Sequence, residues 1–181
     1  MSNQNTDDLF KNIWPQERDT MTRPDRIRYV RQLKSKLEQC VFCEALKLNQ
    51  ASGVFSVDSL VLHKTKHSVV MLNKYPYNTG HLLVLPIRHE GQLDLCSAEE
   101  ISETALTIQK CVSILKKEYN CQGLNIGLNH GEVAGAGIPE HLHWHIIPRW
   151  FGDTNFFPLI AETKVQVESL ETSFNRLRPH F

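Results

Sequence analysis

The chain of 181 residues carries twenty basic and twenty acidic side chains, and an apolar share of 41% with few glycines and prolines. That length suits one globular domain with a continuous core, and the cancelled charge excludes the basic footprint that duplex nucleic acid demands. No apolar run reaches the length of a signal peptide or a membrane span, so a cytoplasmic protein with neither membrane nor nucleic acid as partner is expected, and any phosphate-bearing ligand has to be small and locally bound.

Residues 1–23 are polar, are punctuated by Trp14-Pro15 and read as an N-terminal arm, leaving 24–181 as a single domain. Pro24 can open a helix through about Lys36. Three β-rich runs follow, Val57 to Leu62, Ser68 to Leu72 and His81 to Leu85, which Lys, Pro, Asn and Gly residues separate into neighbouring antiparallel strands. The clearest helix starts at Ser97, where Ser97 and Glu100 fit a capping box ahead of apolar residues at 101, 105, 108, 112, 115 and 119. That stripe is expected on the sheet, with Lys110, Lys116, Lys117 and Glu118 facing water. Strands over Leu124 to Leu128 and His141 to Ile147 flank a glycine-rich loop, 129–140. A strand over Lys164 to Val167 and a last short helix complete an α+β fold built on an antiparallel sheet.

Alternate side chains of a strand share a face, so His141, His143 and His145 point together while Leu142, Trp144 and Ile146 enter the core. Burying three imidazoles without partners is costly, and a structural role would need every ring nitrogen satisfied. Two chemistries fit the spacing: three ligands on one metal, or a nucleophilic imidazole whose neighbours set its tautomer. A glycine-rich loop of backbone N–H groups just before the strand suits phosphate oxygens and favours the second.

His-x-His-x-His followed by two apolar residues and Pro148-Arg149 resembles the motif that defines the histidine triad superfamily of nucleotide hydrolases and transferases. Asn73-Lys74-Tyr75-Pro76-Tyr77-Asn78-Thr79-Gly80-His81 is similar to that family's first nucleotide-binding hairpin. Ala134 to Glu140 together with Trp150 to Phe156 resembles its bacterial diadenosine tetraphosphate phosphorylase-like branch, so that about residues 14–178 are covered. The resemblance implies a histidine-triad fold and catalysis by His143, the middle histidine, attacking an α-phosphorus, with His145 donating to phosphate. A removable donor of that kind contributes roughly 3 kcal/mol.

By the same resemblance Asn129 holds phosphate oxygens and Asn73 the ribose hydroxyls; both residues also suit ordinary Asx turns. Where many triad proteins carry Ser, Thr or Gln, this chain has Gly137, Ile138 and Pro139, leaving the amides of Gly135, Ala136 and Gly137 as phosphate donors. Trp150 walls the site, stacks on a base, or packs in the core. His81 and His130 are expected in support roles.

Five cysteines are an odd set in which only Cys40 and Cys43 are closely spaced. On its own this C-x-x-C pair fits a redox dithiol, two buried thiols or half of a zinc site. The resemblance adds His89 and His141, giving a closed, structural zinc held by Cys40, Cys43, His89 and His141, while Cys96, Cys111 and Cys121 are left as core or surface thiols. It further implies an adenine nucleotide or dinucleoside polyphosphate as ligand, diadenosine tetraphosphate foremost, with phosphate or water as acceptor, and a homodimer or larger assembly pairing the long helix and edge strands. Two other classes stay open: a regulatory nucleotide-binding protein with vestigial chemistry, and a hydrolase with all three histidines on zinc.

Overall fold

The computed structural model describes residues 40–52, 55–153 and 167–181. The expected arm, the helix opened by Pro24 and the strand over 164–167, Val167 excepted, fall outside them. In chain order the elements are α1 (Val41–Ser52), β1 (Val61–Lys64), β2 (Ser68–Leu72), β3 (Leu82–Pro86), α2 (Ala98–Tyr119), β4 (Gly123–Leu128), β5 (Trp144–Arg149) and α3 (Leu170–Leu177). The strands form one antiparallel sheet in the order β1-β2-β3-β5-β4. The α+β expectation holds.

β2 and β3 are buried along their whole length because both sheet faces are covered. Val70, Leu72, Leu82, Val84 and Ile146 meet Cys111, Ile114 and Leu115 of α2 and Phe174 and Leu177 of α3. The alternate residues Val69, Met71, Leu83 and Leu85 meet Phe42, Ala45 and Leu46 of α1. This period of two decides where the histidines go. His145 pairs with Leu83 and therefore stands on the α1 face, and Ile146 stands on the α2 face.

The strand bounds differ from the sequence reading in two informative places. Leu60 takes a left-handed φ of 58° and its N–H closes a turn onto the Val57 carbonyl, so β1 starts only at Val61. β5 starts at Trp144, not His141. The Leu142 N–H leaves the ladder for the Glu90 carbonyl at 2.8 Å, and His141 Nε2 binds the Pro86 carbonyl at 2.9 Å. Gly91 permits this crossing: a Cβ there would meet the Pro139 carbonyl oxygen at 2.4 Å. Trp144 is accordingly half-buried rather than in the core, while Leu142 and Ile146 are buried as expected.

The capping box forms as read: Ser97 accepts from the Glu100 N–H, and Glu100 accepts from the Ser97 N–H. The buried face of α2, however, is turned by about one residue from the expected stripe. Glu100, Thr104, Thr107, Cys111, Ile114 and Leu115 are buried, and Ile101 and Leu106 are exposed. Hydrogen bonds account for the rotation. Glu103 accepts from Thr65 Oγ1 and the His67 N–H, Thr107 bonds Ser68, and Glu100 is forked by Arg88. Polar anchors thus outrank the apolar period in the first half of the helix.

The Arg88 hydrogen bonds and the Ser97 N–H hold the Glu100 carboxyl down at about 2, against an ordinary 4.5. Its contribution is therefore complete above 4.5 and is lost as pH falls towards 2. Ser97→Ala is expected to cost about 1 kcal/mol in urea unfolding at pH 7. Glu100→Gln is expected to destabilise at pH 7 by an amount that shrinks steadily between pH 4.5 and pH 2, measured by the same unfolding curves; a difference constant with pH would remove the ionised cap.

Candidate active site

Two imidazoles at the start of β5 are held in opposite tautomers by groups that can play only one part. His143 Nδ1 lies 2.8 Å from the main-chain carbonyl of His141. A carbonyl only accepts, so Nδ1 carries the proton and Nε2 keeps its lone pair. Burial, to 7% exposure, lowers the His143 pKa and favours the neutral ring.

His145 is set from the other direction. The Tyr77 N–H donates to His81 Nδ1 at 3.0 Å, and the Asn73 amide lies 3.4 Å from the same nitrogen. With donors converging on Nδ1, neutral His81 carries its proton on Nε2, which lies 2.9 Å from His145 Nδ1. His145 Nδ1 then accepts, and the His145 proton sits on Nε2. The two rings meet edge to face with centroids 5.1 Å apart. A lone pair and a donor proton thus stand on adjacent rings, the pairing needed to attack a phosphorus while neutralising its oxygens.

Beside them runs an open groove of about 280 Å³ whose wall includes Tyr77, Asn125, Gly127, Asn129, His145 and Ile147. Of the expected nucleotide contacts, Asn129 shares this wall with His145, and its amide rests against the Gly135 carbonyl at 3.4 Å. Asn73 takes the Asx turn, accepting from the Tyr75 N–H, besides facing His81. The amides of Gly135 and Ala136 close turns onto the carbonyls of Glu132 and Gly131, so in this conformation those phosphate donors are engaged within the loop itself; Gly137 is exposed at the end of those turns. Trp150 takes its packing role: Nε1 donates to the Tyr119 carbonyl at 3.1 Å, and the residue lies five positions, or about 16 Å of strand, beyond His145. It is absent from the groove wall. His130 accepts from the Leu93 N–H, a supporting contact like that of His81.

His141 serves a separate centre. With Nε2 on the Pro86 carbonyl, Nδ1 is the nitrogen left for a metal, and it faces the Cys40 and Cys43 sulfurs at 3.4 and 3.7 Å. His89 Nδ1 lies 3.4 Å from Cys43. The four ligand atoms all lie within 4.8 Å of one another. Zinc bonds of about 2.3 Å to sulfur and 2.0 Å to nitrogen at a tetrahedral angle would set S and N about 3.5 Å apart, so the donor set fits such an ion. Burial and the neighbouring Cys40 push the Cys43 thiol up to about 11, and a bound cation would favour its thiolate form. Among the described residues this metal-capable group contains neither His143 nor His145. The three-histidine metal arrangement is therefore not formed.

Residues 54–152, more than half of the chain, match the family model described as HIT domain. The chain belongs to the HIT domain family. It is 41% identical over 108 residues to an AP-4-A phosphorylase of Mycobacterium tuberculosis, covering 60% of this chain and 55% of that protein. It is 35% identical over 95 residues to an asymmetrical bis(5'-nucleosyl)-tetraphosphatase of Schizosaccharomyces pombe, covering 52% of each. The chain thus spans about half the length of these relatives. A solved zinc-bound histidine triad family protein from Mycobacterium smegmatis shares the fold at a TM-score of 0.61 and 23% identity, over 78% of this chain and 92% of that one.

Two residues packed against these imidazoles were not picked out by sequence reasoning. Phe42, between the two cysteines, packs on both His141 and His143 with centroids 5.5 and 5.1 Å away. Tyr77 lies inside the hairpin motif four residues before His81, a spacing that lets its N–H reach back to that ring. Metal content, measured by mass spectrometry on purified protein, is expected to fall to background in Cys43→Ser and to be retained in His143→Asn. Loss in both variants would return His143 to the metal centre.

Proposed function

We propose that this protein is a nucleotidyl transferase acting on a dinucleoside polyphosphate through a nucleotidyl-histidine. The observation that carries the reading is the hydrogen bond that puts the His143 proton on Nδ1 and leaves the Nε2 pair for phosphorus. In the first step Nε2 forms a bond to the α-phosphorus, and the bond from that phosphorus to its bridging oxygen breaks, with the electron pair leaving on the nucleoside polyphosphate. His145 donates from Nε2 to a non-bridging oxygen, where charge accumulates. In the second step an acceptor oxygen displaces the imidazole and restores the lone pair. Two in-line displacements retain configuration at phosphorus.

Diadenosine tetraphosphate is the substrate we assign, with phosphate as acceptor and ADP and ATP as products. The support is the phosphorylase relative, at 41% identity. Hydrolysis to AMP and ATP is the alternative, suggested by the tetraphosphatase relative. Asn129, the Gly135–Gly137 turn and Asn73 are assigned to phosphate and ribose; their engagement in local bonds implies that ligand entry exchanges those bonds. Cys40, Cys43, His89 and His141 would hold zinc, which in a closed four-ligand sphere supplies cross-linking of α1 to the start of β5 and no activated water. A homodimer belongs to the same reading, resting on the edge position of β4 among the described strands and on Leu106 of α2, which is 66% exposed. Among the described residues no helix is long and apolar enough to cross a membrane.

The test is turnover of diadenosine tetraphosphate with and without inorganic phosphate, with products resolved by chromatography. ADP formed only with phosphate is expected; AMP formed without it would select hydrolysis. His143→Asn is expected to lose at least about a hundredfold in rate, and a wild-type rate in that variant would remove His143 as nucleophile.

A further inference from the structure

Tyr77 contacts both members of the His81–His145 pair and also lines the groove. Its N–H fixes the His81 tautomer at 3.0 Å. Its ring lies over His145 at a centroid distance of 5.8 Å and 25° from parallel, and over His81 at 5.0 Å and 34°. Both distances fall in the range of favourable offset stacking. The residue is nonetheless 43% exposed, facing the groove.

We propose that Tyr77 is a positioning residue for His145, the hydrogen bond through His81 setting which way the imidazole faces and the Tyr77 ring setting its plane. The two constraints are complementary. Turning His145 over would put carbon where Nδ1 meets His81, so the 2.9 Å hydrogen bond opposes a flip. A single hydrogen bond at Nδ1 fixes that corner of the ring but not its plane. Tilt is opposed by the Tyr77 face on one side and by the edge-on His143 ring, 5.1 Å away, on another. A donor that neutralises charge only as the transition state forms gains most from a fixed direction, because reorientation then costs nothing during reaction.

This inference rests on the proposed nucleotidyl transfer, but its test separates the two. Nitrogen-15 spectra of the histidine rings report tautomer and ring-proton exchange without turnover. Wild type and Tyr77→Phe are expected to show His145 protonated on Nε2 with a slowly exchanging ring proton. Tyr77→Ala is expected to keep the His81 pattern, since the main-chain N–H remains, while the His145 ring proton exchanges at least about tenfold faster. With diadenosine tetraphosphate, kcat is expected to fall about tenfold or more in Tyr77→Ala, with KM little changed, and to be restored in Tyr77→Phe. An unchanged His145 spectrum in Tyr77→Ala, a wild-type His145 protonated on Nδ1, or a loss in KM alone would overturn the proposal. If wild type shows the expected ring spectra and turns over no dinucleotide, the proposed function falls and the positioning role stands.

Discussion

The hydrogen bond from His143 Nδ1 to the carbonyl of His141 depends on a stretch of chain that has left the sheet. Were His141 to His143 regular strand, that carbonyl would be spent on a ladder or face along it. Instead Leu142 bonds Glu90 and the ladder with β3 begins only at Trp144. His141 can then act with both ends: its ring joins Cys40, Cys43 and His89, and its carbonyl orients the neighbouring ring. Close approach of Gly91 to Pro139 is what lets the two chain segments lie side by side.

From that constraint the rest of the site follows as a sequence of forced proton positions. Carbonyl and peptide N–H groups cannot exchange parts, so they impose tautomers on His143 and His81, and His81 passes the choice to His145. Aromatic rings then limit motion: Phe42 packs on His143 and Tyr77 on His145. The hydrophobic layer beneath supplies rigidity, since β3 is sandwiched between α2 on one face and α1 on the other, and Ile146 of β5 joins the α2 layer. Buried polar groups with every partner chosen are costly to disturb, and this favours one geometry over many.

Much of this was legible in the sequence because it is written in short-range patterns. The capping box at Ser97, the β-rich runs of β2 and β3, the C-x-x-C pair and the spacing of the histidines each reflect local geometry that tertiary packing did not override. The start of β5 was not legible, because the competing partners, Glu90 and Pro86, lie more than fifty residues away. The face of α2 was missed for a similar reason: Thr104 and Thr107 look solvent-facing by composition, and only the hairpin polar groups of Thr65 to Ser68 draw that side inward. Trp150 offered a stacking surface by residue type, but its indole N–H found a carbonyl at the end of α2. Tyr77 was hidden in plain view inside a motif read for Asn73 and His81.

The central claim is that His143 Nε2 forms a covalent bond to phosphorus. Its most direct measurement is rapid quenching into alkali, with phosphate absent, followed by mass spectrometry of peptides from protein mixed with diadenosine tetraphosphate. An alkali-stable, acid-labile adenylyl group on the peptide containing His143 is the result this account requires. Turnover without any covalent adduct, or an adduct on a different residue, would contradict it.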